Sequence, residues 1–142
     1  MNDLERAIEI AVDAYAGQTD KAGMTYIRHP LRVMEAVETE RERVVAVLHD
    51  VVEDANYTLD EIETAFDAEI REAVDALTKR DGESYQEFIA RTATNSLARQ
   101  VKIADIEDNM DLTRLAELDQ AVLDKQAEYH QALRTLLEEQ QR

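Results

Sequence analysis

Apolar residues recur at helical spacing along almost the whole chain, and only three glycines and one proline interrupt them. No stretch alternates with period two for long enough to make a strand. A chain punctuated so rarely cannot supply the turns of a β-sandwich or barrel. An all-α fold is the expectation. The 142 residues, 44% hydrophobic, suffice for one core in a single domain over 1–142.

The helices can be placed from their stripes and caps. Leu4, Ile8, Ala11, Val12 and Tyr15 stripe the first, with Gly17 as its stop. After a loop holding Gly23, Pro30 suits the first position of a second helix, with Leu31, Val33, Met34 and Val37 inward. The third helix runs from about Arg41 to Val52 and is apolar on nearly every side, so it is expected at the centre. Thr58 with Glu61 and Ser84 with Glu87 read as capping boxes. Asp67, Asn95 and Asp119 read as single caps of three further helices.

Composition excludes several classes of function. Without cysteine there is no disulfide framework, zinc ribbon or thiol nucleophile. A formal net charge of −16 repels nucleic-acid polymers and anionic lipid. The N-terminus lacks the basic and apolar regions of a signal peptide, and no apolar run approaches membrane-spanning length. A cytoplasmic protein is expected, with no nucleic-acid polymer and no membrane as partner; oligomeric state is not legible. No glycine-rich phosphate loop is present, so transfer from ATP is not suggested.

Chemistry concentrates around two of the three histidines. His49 and Asp50 sit at the end of the most apolar segment, followed one turn later by Glu53 and Asp54. Burying an imidazole and several carboxylates costs several kcal/mol per charge unless something compensates. A divalent cation does so, since these donors suit Mn, Fe, Zn or Mg. Taken singly, each residue has a plain explanation: a His-Asp pair at a surface, His29 as a cap before Pro30, Asp105 as one more solvated acid. His130 reads as a surface or packing residue. Lys79, Arg80 and Arg99 either face phosphates or pair with neighbouring acids.

The ordered set His29, His49-Asp50, Asp105 resembles the signature of the HD superfamily of metal-dependent phosphohydrolases. Tyr26-Ile27-Arg28-His29-Pro30 resembles that family's Tyr-Ile-x-His-Pro. Leu48-His49-Asp50-Val51-Val52-Glu53-Asp54 resembles its Leu-His-Asp-x-x-Glu-Asp, and Val101-Lys102-Ile103-Ala104-Asp105 its Val-Lys-x-Ala-Asp, with Asn109-Met110 following. The likeness is greatest to the RelA/SpoT-type guanosine polyphosphate 3′-pyrophosphohydrolases, including small stand-alone members, and covers roughly residues 1–115. It implies an HD-domain helical bundle and one divalent metal held by His29, His49, Asp50 and Asp105. The metal is Mn²⁺ by resemblance, with Zn²⁺, Mg²⁺, Fe²⁺ and Co²⁺ as alternatives. Glu53 and Asp54 match the acids that position and deprotonate water. Lys21 matches a phosphate-side lysine, Asn109 a sugar contact, and Lys102 is a further candidate for substrate.

The implied activity is removal of the 3′-pyrophosphate of guanosine tetra- or pentaphosphate, a small phosphorylated nucleotide. Two departures bear on it. Where the family reads Gln-x-Arg-Lys-x-Gly, this chain has Gln18-Thr19-Asp20-Lys21-Ala22-Gly23, replacing the arginine that stacks on guanine. Where the family reads Arg-Leu-His after the fourth ligand, this chain has Ile106-Glu107-Asp108. Two alternatives therefore stand: an HD phosphohydrolase for another phosphorylated metabolite, and a catalytically silent nucleotide-binding module.

Overall fold

Helix α3 (Glu40–Leu48) is the axis around which the chain is arranged. Its residues Val44 to Leu48 are all buried, and it packs against α1 (Asp3–Tyr15), α2 (Arg28–Ala36), α6 (Ala68–Ala76) and α8 (Ser96–Asn109). The computed structural model describes residues 1–142; α4 (Val51–Asp54), α5 (Leu59–Ala65), α7 (Tyr85–Ala93) and α9 (Gln120–Gln140) complete an all-α fold without strands. A short 3₁₀ turn, Leu112–Arg114, precedes α9.

Two apolar clusters form the interior. One gathers α1, α2, α3, α6 and part of α8 around Val45, Val47, Leu48 and Ile70. The other joins α7, α8 and α9 through Phe88, Ile89, Ile106 and Leu136. Helix α8 belongs to both: Ala98, Val101 and Ala104 serve the first cluster, Ile103 and Ile106 the second. The remaining face of α8 carries Lys102, Asp105 and Asn109, spaced three and four residues apart and so stacked on one side.

The expected caps are present. Thr58–Glu61 and Ser84–Glu87 form reciprocal capping boxes, and Asp67, Asn95 and Asp119 each accept an N–H in the first turn of their helix. A further box, Asn2 with Glu5, opens α1. Gly17 takes φ +78° just past α1, the left-handed stop that glycine adopts without a Cβ penalty.

Three expectations are corrected. Val12 is 55% exposed, because the buried stripe of α1 runs instead through Ala7, Ala11 and Tyr15. Pro30 is the third residue of α2, which starts at Arg28; the missing N–H costs nothing there, since the first helical N–H groups have no partner in the helix. The helix expected to run through Val52 stops at Leu48. Asp50 leaves helical geometry at φ −112°, ψ 4°, and the short α4 starts a new turn at Val51. That region of backbone space is sparsely populated and recurs at functional residues.

The α6–α7 connection is clamped by one guanidinium. Arg91 donates from Nε and Nη2 to Glu83, at 2.8 and 2.9 Å, and to the carbonyls of Asp75 and Thr78 at 3.0 and 2.7 Å. Next to it the buried Thr92 hydroxyl donates to the Ala76 carbonyl at 2.7 Å. Hydrogen bonds to a charged group contribute more than neutral ones, so Arg91→Ala is expected to destabilise the fold by about 1.5–3 kcal/mol. Urea unfolding reads this as a lowered midpoint; an unmoved midpoint would show that the connection holds without the clamp.

Candidate metal centre and active site

Three helices deliver one side chain each to a single buried point. His29 comes from the first turn of α2, His49 from the end of α3 and Asp105 from the middle of α8; all three are buried. Their donor atoms lie within 4.8 Å of one another. Asp105 Oδ1 is 2.8 Å from His29 Nε2 and 3.4 Å from His49 Nε2. Asp50 stands at the edge of this trio: its Oδ2 is 3.1 Å from His49 Nε2 and accepts the Tyr26 hydroxyl at 2.6 Å. The break after Leu48 thus accompanies a carboxylate turned toward both Tyr26 and His49.

The hydrogen bonds on the far sides of the rings decide which nitrogens are available. His49 Nδ1 is 2.6 Å from the Ala46 carbonyl, which only accepts, so Nδ1 carries a proton. His49 Nε2 is fully enclosed and has no hydrogen-bond partner. His29 Nδ1 is 2.6 Å from Asp108 Oδ2 and donates to it, while Nε2 faces Asp105. With Nδ1 protonated on each ring, both Nε2 lone pairs point at the same carboxylate. Such a set is repulsive unless a cation or protons stand between the lone pairs, and a divalent ion fits its chemistry.

Electrostatics agree. Burial opposes ionisation of Asp105, but Lys102, His49 and His29 hold its carboxyl well below the usual range. Lys102 Nζ donates to Asp105 Oδ2 at 2.9 Å. Burial disfavours a charged imidazole, yet Asp50 and Asp105 raise the pKa of His49, and Asp105 and Asp108 raise that of His29. Protons and a metal cation compete for the same donors here, so metal uptake must release protons.

Above the trio opens a cleft of about 440 Å³. Its walls include the residues expected to act on water or substrate: Lys21, Glu53, Asp54, Lys102 and Asn109. Glu53 and Asp54 are exposed to the cleft from α4, and Glu53 accepts the Lys79 N–H at 3.3 Å. Asn109 Nδ2 donates to Asp105 at 3.3 Å. Lys79, Arg80, Arg99 and His130 do not line the cleft. Arg99 donates to the Ala93 carbonyl, and His130 is exposed on α9.

The HD domain family model matches residues 7–142. The chain belongs to the HD-domain family. A probable GTP pyrophosphokinase of Mycobacterium leprae is 33% identical to it over 120 residues, covering 75% of this chain and 15% of the relative. A guanosine-3′,5′-bis(diphosphate) 3′-pyrophosphohydrolase of Aquifex aeolicus is 30% identical over 120 residues, covering 76% of this chain and 17% of the relative. The HD domain thus spans about a sixth of the length of these curated relatives. Among solved structures, a metazoan ortholog of SpoT that hydrolyses ppGpp superposes with TM-score 0.77 at 20% identity, covering 96% of this chain and 86% of that one; this likeness is one of fold.

The cleft of the HD domain is also lined by residues that no motif marked. Arg32 and Arg114 line the cleft and both reach Asp108: Arg32 Nε donates to its carboxylate at 2.8 Å, and Arg114 to its backbone carbonyl at 3.0 Å. Helix α9 closes one wall with Lys125, Gln126 and Tyr129. Lys125 Nζ lies 4.3 Å over the Tyr85 ring and 5.2 Å over that of Tyr129. Asp20 faces the cleft too, but its Oδ1 accepts the N–H groups of Ala22 and Met24, both at 2.9 Å, and so shapes its own loop.

The acids on α4 are expected to make the HD domain less stable near neutral pH. Partial burial, together with Asp50 and Glu53, pushes the Asp54 carboxyl up to about 6 from its ordinary 3.8. A folded-state value above the unfolded one means that the folded chain binds the extra proton. Stability therefore falls as pH rises from about 4 to 6. In chelator, Asp54→Asn is expected to be more stable than the wild type at pH 7, by about 0.5–1 kcal/mol after solvent screening, and equal at pH 4. Urea unfolding at both pH values checks this; a variant no more stable at pH 7 contradicts it.

Proposed function

We propose that this HD domain is a metal-dependent phosphohydrolase that removes the 3′-pyrophosphate of guanosine tetra- or pentaphosphate. The observation that carries the reading is the pairing of one buried donor trio with two exposed acids at the same cleft. The curated relatives include a guanosine-3′,5′-bis(diphosphate) 3′-pyrophosphohydrolase, and the structural relative is described as hydrolysing ppGpp. No helix is long and apolar enough to cross a membrane, and we place the enzyme in the cytoplasm.

In this reading His29, His49, Asp50 and Asp105 hold one divalent ion, taken to be Mn²⁺. When bound, the ion supplies Lewis acidity toward a phosphoryl oxygen and makes nearby water acidic. Asp54, its carboxyl poised near 6, takes a proton from the attacking water, and Glu53 orients that water in line with phosphorus. Lys102 neutralises Asp105 and adds positive charge to the cleft floor beneath the phosphates. Lys21 meets phosphate from the loop after α1, and Asn109 meets the sugar.

A second reading, hydrolysis of a different phosphorylated nucleotide, is favoured by Asp20. Its carboxylate is committed to the loop where the resembled family places a base-stacking arginine. The experiment is a release assay with Mn²⁺ on guanosine 3′,5′-bis(diphosphate), nucleoside monophosphates and nicotinamide dinucleotide phosphate. Pyrophosphate from the first substrate alone supports the main reading. Inorganic phosphate from another supports the second, and no turnover on any overturns both.

A further inference from the structure

Asp108 has no metal-binding or catalytic assignment, and the sequence marks it only as a departure from the resembled pattern. The structure puts its carboxylate at 13% exposure, directly behind His29. Oδ2 accepts from His29 Nδ1 at 2.6 Å, one of the shortest contacts around the trio. Oδ1 accepts from Arg32 Nε at 2.8 Å, and Oδ2 from Arg32 Nη2 at 3.1 Å. Arg114 Nη2 donates to the Asp108 carbonyl at 3.0 Å and lies 3.6 Å from Oδ2. A two-point guanidinium contact fixes the plane of a carboxylate, and here that plane fixes an imidazole.

We propose that Asp108 is the positioning residue of the metal centre: it holds His29 in the Nδ1–H tautomer and aims Nε2 at the point shared with His49 and Asp105. The inference rests on the reading of the trio as a metal site. His49 has its own orienting acceptor, the Ala46 carbonyl. His29 has no such backbone acceptor for Nδ1, so Asp108 carries that duty alone. Helix geometry makes this possible, since residues 105 and 108 are three apart on α8 and present both carboxylates to the same ring. Outer partners of this kind raise ligand basicity and fix ring orientation, and losing one typically costs ~10–100-fold in metal affinity.

The test measures Mn²⁺ affinity by calorimetry on the full chain, alongside thermal unfolding in chelator. Asp108→Leu is expected to weaken Mn²⁺ by ~10–100-fold. Asp108→Asn, whose amide oxygen still accepts from Nδ1–H, is expected to fall between it and the wild type. His29→Ala weakens binding by itself, and adding Asp108→Leu to it should weaken binding no further, because the two act through one contact. An Asp108 that merely braces Arg32 and Arg114 would lower the unfolding temperature and leave Mn²⁺ affinity unchanged, which overturns the proposal. Additive losses in the double variant overturn it as well. A wild-type chain that binds no Mn²⁺ refutes the metal-site reading itself, and this inference with it.

Discussion

Asp105→Asn will strip the divalent ion from this chain. The substitution keeps the shape of the side chain but removes the charge on which Lys102, His29 and His49 converge. It also leaves the buried Lys102 ammonium, now 2.9 Å from the Asp105 carboxylate, without its counter-charge. Breaking a buried pair by neutralising one member costs about 3–5 kcal/mol. That cost falls on folding stability; Mn²⁺ affinity falls for a separate reason, the loss of an anion facing the ion, and by more than the ~10–100-fold typical of an outer partner. Calorimetric titration with Mn²⁺ measures it. An affinity within a few-fold of the wild type would mean that Asp105 faces the ion without holding it.

The double substitution Glu53→Gln and Asp54→Asn should have the opposite signature. Neither carboxylate belongs to the buried trio, and both stand exposed on α4 at the cleft. Mn²⁺ affinity should change little, while pyrophosphate release falls by ~10²–10⁴-fold, the usual contribution of positioned acid–base groups. Activity that survives in the double variant would remove the water-activating role from α4. Read together, the two variants separate holding the metal from using it.

Local chemistry was more legible than tertiary chemistry. Thr58–Glu61 and Ser84–Glu87 close their capping boxes because a cap depends only on residues three apart. The trio was legible because histidine is scarce and its partners stand in an ordered pattern. The end of α3 was not. No glycine or proline marks it, and the carboxylate that leaves the helix there is bonded to Tyr26, 24 residues away. Val12 is exposed because burial of a valine at the right period still depends on whether a neighbouring helix covers it. Lys102 stands in the sequence as a candidate substrate contact, and the structure adds that its ammonium is bonded to Asp105.

Asp108 is the most instructive of these residues. In one dimension it is a mismatch beside a motif; in three it accepts from a histidine 79 positions earlier and from Arg32. The wall contributed by Lys125, Gln126 and Tyr129 has the same origin. Helix α9 lies beyond the motifs, and only its packing on α7 and α8 brings it to the cleft.

The proposed chemistry depends on one divalent ion shared by side chains from α2, α8 and the α3–α4 junction. Diffraction at the manganese absorption edge from crystals grown with Mn²⁺ tests it most directly. The expected result is a single strong anomalous peak per chain in contact with His29, His49, Asp50 and Asp105. No peak, or peaks only among the surface carboxylates, would contradict it.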